Sequence, residues 1–163
     1  MISMVRIDDR LIHGQVAVMW SKQLGISRII VASDKIAAND MQVNALKMAA
    51  PAGIKAFVLP IQKAVELVND PRAKDMKILV LSNNPKDIYE VLQGIKEKPL
   101  LNLANYGRIG GSISEKEKVT DTVYVTNDDK EIFKNIFDMG YDFEYQPLPS
   151  DPKQSLKQLL GGK

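Results

Sequence analysis

The sequence predicts an α/β protein with an open, mainly parallel sheet of about seven strands and helices on both faces. Three observations predict it. Short apolar runs such as Ile29-Ile30-Val31-Ala32 and Ile78-Leu79-Val80-Leu81 lack polar alternation, as strands buried on both faces do. Segments with helical apolar spacing stand between those runs. The chain has 163 residues, 45% hydrophobic and 26% charged, which suits one packed domain over 1–163 and argues against disorder.

Ile2 to Ile7 reads as the first strand. Gln15 to Leu24 places Val16, Met19, Trp20 and Leu24 on one helical face, and Gly25 supplies a stop. Ile29 to Ala32 is the second strand. Asn39 to Ala50 reads as a helix with Met41, Ala45, Met48 and Ala49 as its buried stripe, the methionines serving as core filler; Pro51 ends it. Ala56 to Leu59 is a strand, and Ile61 to Val68 a helix closed by Asn69-Asp70-Pro71. Ile78 to Leu81 is a strand. Asn84 then reads as an N-cap with Pro85 at the first helical position, followed by Ile88, Val91, Leu92 and Ile95.

Leu100 to Ala104 is a fifth strand. Asn105 to Thr122 reads as irregular, with Lys116-Glu117-Lys118 as solvated surface. Val123 to Val125 is a short strand. Thr126 or Asn127 caps a helix carrying Ile132, Phe133, Ile136 and Phe137, with Asp128-Asp129 complementing its dipole and Gly140 stopping it. Tyr141 to Gln146 is the last strand. Pro147, Pro149 and Pro152 mark a stiff turn, and Leu156, Leu159 and Leu160 a closing helix.

Composition excludes several functions. Lys plus Arg is 22 and Asp plus Glu is 20, a net charge of +2 that does not suggest a nucleic-acid binder. No cysteine is present, so disulfides, thiolate nucleophiles and Cys-ligated metals are excluded. No run approaches the ~18 apolar residues of a membrane span. The N-terminus lacks a signal-peptide core, so a cytoplasmic location is expected. One histidine means that any imidazole chemistry belongs to His13.

Arg6-Ile7-Asp8-Asp9-Arg10-Leu11-Ile12-His13-Gly14-Gln15 is the informative stretch, between the first strand and the first helix. Function in parallel sheets collects beyond the carboxyl ends of strands. Free amides and the dipole at a helix start stabilise an anion. Gly14 permits close backbone approach, an arginine fork fits phosphate oxygens, and an aspartate can orient an imidazole. A neutral imidazole can attack phosphorus and hold it as a phosphoramidate. A capping or packing histidine among surface charges is the competing reading of the same residues.

Residues 6 to 16, Arg-Ile-Asp-Asp-Arg-Leu-Ile-His-Gly-Gln-Val, resemble the phosphorylation motif of the IIB components of the mannose/fructose/sorbose family of the bacterial phosphoenolpyruvate-dependent sugar phosphotransferase system. Asp34 to Asp40, Lys47 to Pro51, Gly53-Ile54-Lys55, the Asn102 loop and Tyr124 through Pro149 resemble it too, so the likeness spans nearly the whole chain. It implies a phosphohistidine carrier. A IIA protein or domain donates to His13, and the group passes to a sugar entering through membrane IIC and IID components. The family's acceptor nitrogen is Nδ1. The resemblance assigns Arg10 and Asp8 to ordering the loop and stabilising the phosphoryl group, with phosphate contacts from Arg10, Gly14, Gln15 and Arg6. It implies no metal or cofactor, peripheral association with the membrane transporter, and a homodimer. A start at Met1 suggests a separate IIB polypeptide. The sugar stays open among mannose, fructose, sorbose and amino sugars. The chain departs from the family at Asn102 to Gly111, where the glycines come late and Arg108 adds a charge; a turning loop is the expectation there.

Rival readings fit less well. A receiver domain needs an acceptor aspartate after its third strand, where this chain has Leu59-Pro60. Nucleotide binding lacks a Gly-rich fingerprint, and a hydrolase lacks a Gly-x-Ser-x-Gly elbow. A non-catalytic regulatory or small-ligand-binding α/β module is the remaining alternative.

Overall fold

Strand β1 (Ile2–Ile7) lies inside a seven-stranded sheet in the computed structural model, which describes residues 1–161. Its order is β3 (Lys55–Leu59), β2 (Arg28–Ala32), β4 (Ile78–Ser82), β1, β5 (Leu101–Leu103), β8 (Phe143–Tyr145) and β9 (Gln154–Ser155). The first six run parallel, and β9 returns antiparallel to β8. The expected class therefore holds.

Strand side chains alternate between two cores, as the pleat requires. Val5, Ile7, Ile30, Ala32, Ile78 and Val80 face one side. There they meet α4 (Ile61–Asn69), α5 (Pro85–Gly94), α6 (Asn127–Asp138) and α7 (Leu156–Leu159) through Ala64, Ile88, Phe133, Ile136 and Leu156. Met4, Ile29, Val31, Leu79 and Leu81 face the other side. They pack on Ala17 and Trp20 of α1 (Gly14–Leu24), Ile36 of α2 (Asp34–Ala37) and Leu46 of α3 (Asp40–Met48). The connections after neighbouring strands β1 and β4 thus leave toward opposite faces, which opens a crevice at their carboxyl ends.

Local signals set the helix ends. Asn84 accepts from Asp87 N–H ahead of Pro85. Thr126 and Asp129 form a reciprocal capping box, the role expected of the Asp128-Asp129 pair. Gly25 closes α1 at φ +63°.

Three expectations are corrected. Val123–Val125 (β7) does not join the main sheet but pairs antiparallel with β6 (Glu117–Thr120). The backbone of Tyr106 occupies β7's other edge, through Tyr106 N–H to Thr122 O and Tyr124 N–H to Tyr106 O, and β8 takes the place beside β5. The seventh strand is Gln154–Ser155 instead. Residues 105 to 122 are accordingly not all irregular. The third correction concerns α3, whose predicted stripe faces outward: Met41 is 83% and Met48 86% exposed. The helix covers the edge strand β3, and that edge accommodates only the side carrying Val43 and Leu46.

Candidate functional site

The strand ladder continues past the end of β1 and holds the loop that follows. Asp8 N–H donates to Ser82 O beside β4, and Asp9 N–H donates to Asn105 O beyond β5. Leu11 N–H then donates back to Asp8 O, closing a turn. Leu11 adopts φ +59°, a left-handed conformation that costs a branched side chain energy. Burial of Leu11 and Ile12 in the α1-side core offsets that cost and sets the next residue at the helix start. That residue is His13, the N-cap of α1 in extended conformation.

Asp8 is the centre of the site. It is fully buried, and each carboxylate oxygen has defined partners. Oδ1 accepts Arg10 N–H at 3.0 Å and Asn105 Nδ2 at 3.5 Å. Oδ2 accepts Arg6 Nη2 at 2.9 Å and faces His13 Nε2 at 3.2 Å. An ionised carboxylate only accepts, so Nε2 is the donor in this contact, and in a neutral imidazole Nδ1 then keeps its lone pair.

Arg6 sits underneath. Its guanidinium, 2% exposed, is bound by Asp8, by Asn102 Oδ1 at 2.6 Å and by the carbonyls of Gln146 and Pro147 at 3.4 and 3.1 Å. The Trp20 ring lies 5.3 Å from its Cζ. Burial lowers its pKa, and the Asp8 charge and hydrogen bond oppose that. Both terminal nitrogens of Arg6, expected as a phosphate contact, are engaged below the surface. Its place supports Asp8 instead.

Arg10, Gly14 and Gln15 are exposed at the rim. Arg10 uses its backbone N–H on Asp8, and its side chain lines a cavity of about 290 Å³ with Asp9, Asn105, Arg108, Ile109 and Ile113. No side chain caps α1. Among the described residues, the amides of Gly14, Gln15 and Val16 have no acceptor. Three donors and the positive end of the helix therefore flank His13. No group of three or more acidic or imidazole side chains is placed to hold a metal among the described residues.

Sequence reasoning assigned no site role to five contributors. Asn102 and the carbonyls of Gln146 and Pro147 hold Arg6, and Trp20, read only as core, also donates Nε1–H to Pro147 O at 3.0 Å. Their contacts join residues about a hundred or more positions apart, beyond local pattern. The fifth is Asp9. Its carboxyl is pushed up to about 6 by desolvation and by Asp8, and the amides of Arg108 and Gly107 and the charge of Lys116 oppose the shift. The conspicuous acidic doublet of the sequence signalled it, without saying which partner it meets.

Comparison with known proteins places the chain. Residues 2–163 match the family model of the phosphotransferase-system sorbose-subfamily IIB component. A probable phosphotransferase enzyme IIB component of Streptococcus pyogenes serotype M6 is 37% identical over 162 residues, covering 98% of this chain and 99% of that protein. The mannose-specific EIIAB component of Escherichia coli K12 is 34% identical over 159 residues, covering 98% of this chain but 48% of that longer protein. The crystal structure of the IIB domain of the Klebsiella pneumoniae sorbose permease superposes with a TM-score of 0.89 at 28% identity, covering 99% of this chain and 97% of that one.

Proposed function

The chain belongs to the sorbose-subfamily IIB components of the sugar phosphotransferase system, and on that premise we propose that His13 Nδ1 is its phosphoryl acceptor. The protein works in sugar uptake as a phosphotransferase with IIA and membrane IIC and IID partners. The finer reading is a protein-phosphohistidine–sugar phosphotransferase reaction in two steps. In the first, the Nδ1 lone pair attacks the phosphorus of a IIA phosphohistidine. The donor's N–P bond breaks, and its electron pair returns to the donor imidazole. In the second, a sugar hydroxyl attacks the phosphorus on His13. The N–P pair returns to Nδ1, and the hydroxyl proton leaves to solvent.

The observation that carries this reading is the His13 Nε2 to Asp8 Oδ2 contact, which leaves Nδ1 as the nucleophile. The open amides of Gly14, Gln15 and Val16 and the Arg10 guanidinium would offset the incoming charge. Positioning and charge stabilisation do most of the work in such a transfer. Among the described residues no helix is long and apolar enough to cross a membrane. The protein would act in the cytoplasm, docked peripherally on its membrane partners. The family resemblance also suggests a homodimer, which sedimentation would test.

The deciding experiment is intact-mass measurement at alkaline pH after incubation with phosphoenolpyruvate, the general phosphotransferase proteins and a family IIA. One phosphoryl group on the wild type and none on His13→Ala is expected. Equal labelling of His13→Ala would sink the assignment.

A further inference from the structure

The segment that follows β5 is held against the site from both sides. Asp9 reaches it from the His13 loop: the Asp9 N–H donates to Asn105 O, and Asp9 lines one cavity with Asn105 and Arg108; the amides of Gly107 and Arg108 favour its ionised form. Lys116 holds the opposite edge, its Nζ donating to Gly107 O at 2.6 Å and Gly110 O at 2.8 Å. Between these holds the chain turns at Gly107, φ +89°, where an added Cβ would lie 1.8 Å from Tyr124 O. No other residue fits that turn unchanged. Tyr106 anchors the preceding residue, its hydroxyl donating to Asp129 Oδ1 at 2.7 Å.

This clamp has a consequence for charge. It fixes the backbone at Arg108, which lines the same cavity of about 290 Å³ as Arg10. Arg10 belongs to the His13 loop, three residues before the histidine, and Arg108 shares that cavity with it. A turning loop would need no arginine at that cavity. We propose that Asp9 is a positioning residue which, with Lys116, holds Arg108 at the cavity it shares with Arg10, so that two guanidinium groups receive the phosphoryl group in transit at His13. The proposal rests on the reading of His13 as the acceptor. Two cations facing one dianion suit a transfer in which charge on the equatorial oxygens must be held while the N–P bonds exchange.

The charged groups around Asp9 are Asp8 behind it, Lys116 across the clamp, and Arg10 and Arg108 in the cavity. The Asp9 carboxyl, raised to about 6, stays ionised at neutral pH and available to the two amides. Protonation removes its acceptor charge.

Single-turnover transfer from a radiolabelled, phosphorylated IIA domain to the full chain tests this. Arg108→Gln and Asp9→Asn are each expected to slow the first-order step by about tenfold, while labelling still ends at one phosphoryl group per chain. Arg108→Lys should recover part of the rate. The wild-type rate should fall as pH drops through about 6, and Asp9→Asn should show a shallower fall, since one of the groups that must stay unprotonated is gone. Rates within twofold of wild type in either Arg108→Gln or Asp9→Asn would overturn the proposal. Failure of the wild type itself to accept phosphate would instead overturn the acceptor reading, so the two failures are distinct.

Discussion

One oxygen of Asp8 serves both His13 and Arg6: Oδ2 lies 3.2 Å from His13 Nε2 and 2.9 Å from Arg6 Nη2. The carboxylate is held by a cation below so that it can hold an imidazole above. Asp8 is fully buried and Arg6 2% exposed, so neither charge has water as an alternative partner. Removing one partner of such a pair costs far more than the pair's net worth.

Asp8→Asn should therefore destabilise the fold by about 3 kcal/mol, because the Arg6 guanidinium stays buried without its counter-charge. It should also slow phosphoryl transfer by freeing the His13 ring to exchange its tautomer. Denaturant unfolding and quench-flow labelling read the two effects. A loss under about 1 kcal/mol would contradict the buried-pair account.

Arg6→Met should cost a similar amount, about 3 kcal/mol, by leaving Asp8 buried without a cation. The double variant should lose clearly less than the sum, since each single change already forfeits the shared interaction. Additive losses in a double-mutant cycle would show that Arg6 acts mainly through Asn102 and the Gln146 and Pro147 carbonyls.

Gly107→Ala forces a Cβ against the Tyr124 carbonyl at a positive φ. A cost of about 1–3 kcal/mol is expected, with the loss of transfer rate larger than in Arg108→Gln because the whole clamp shifts. Thermal unfolding together with the labelling rate checks both. Wild-type behaviour would mean the loop relaxes freely.

Asp9 has a stability signature opposite to that of a paired carboxylate. Its folded pKa of about 6 lies above the ordinary 3.8, so the folded state binds the proton more tightly than the unfolded chain does. Stability contributed by this group is fully present below the unfolded value. It declines as pH rises through the window up to about 6. Asp9→Asn should flatten that window and leave the protein no less stable at neutral pH, even as transfer slows. Unfolding curves taken from pH 4 to 8 would reveal a matching slope in both proteins if Asp9 were not the cause.

Met41→Ser and Met48→Ser should change stability by no more than about 0.5 kcal/mol each, because both side chains stand in solvent. Leu46→Ala, on the buried side of the same helix, should cost roughly 2–3 kcal/mol. The reverse ranking by chemical denaturation would restore the predicted stripe as the packed face.

Local pattern determined a good deal of this protein. Short apolar runs specified five strands of the main sheet, since a buried parallel strand has no polar face to show. Asn84-Pro85, Thr126 and Gly25 marked helix ends by hydrogen bonds that span only a turn. The candidate site loop was legible as well, because its histidine, aspartates and arginines lie within ten consecutive residues between a strand and a helix. The tertiary structure alone decided which of those charges meet. Arg6 could be read as a surface contact until the register of β1 against β5 set it on Asn102, ninety-six positions away. The free nitrogen of His13 depends on a turn that brings its ring back over Asp8. The exposure of Met41 and the departure of Val123–Val125 from the sheet follow from which neighbours were already occupied. Periodicity reports which faces are apolar, but burial goes to the faces that find a partner, and that choice is made by contacts distant along the chain.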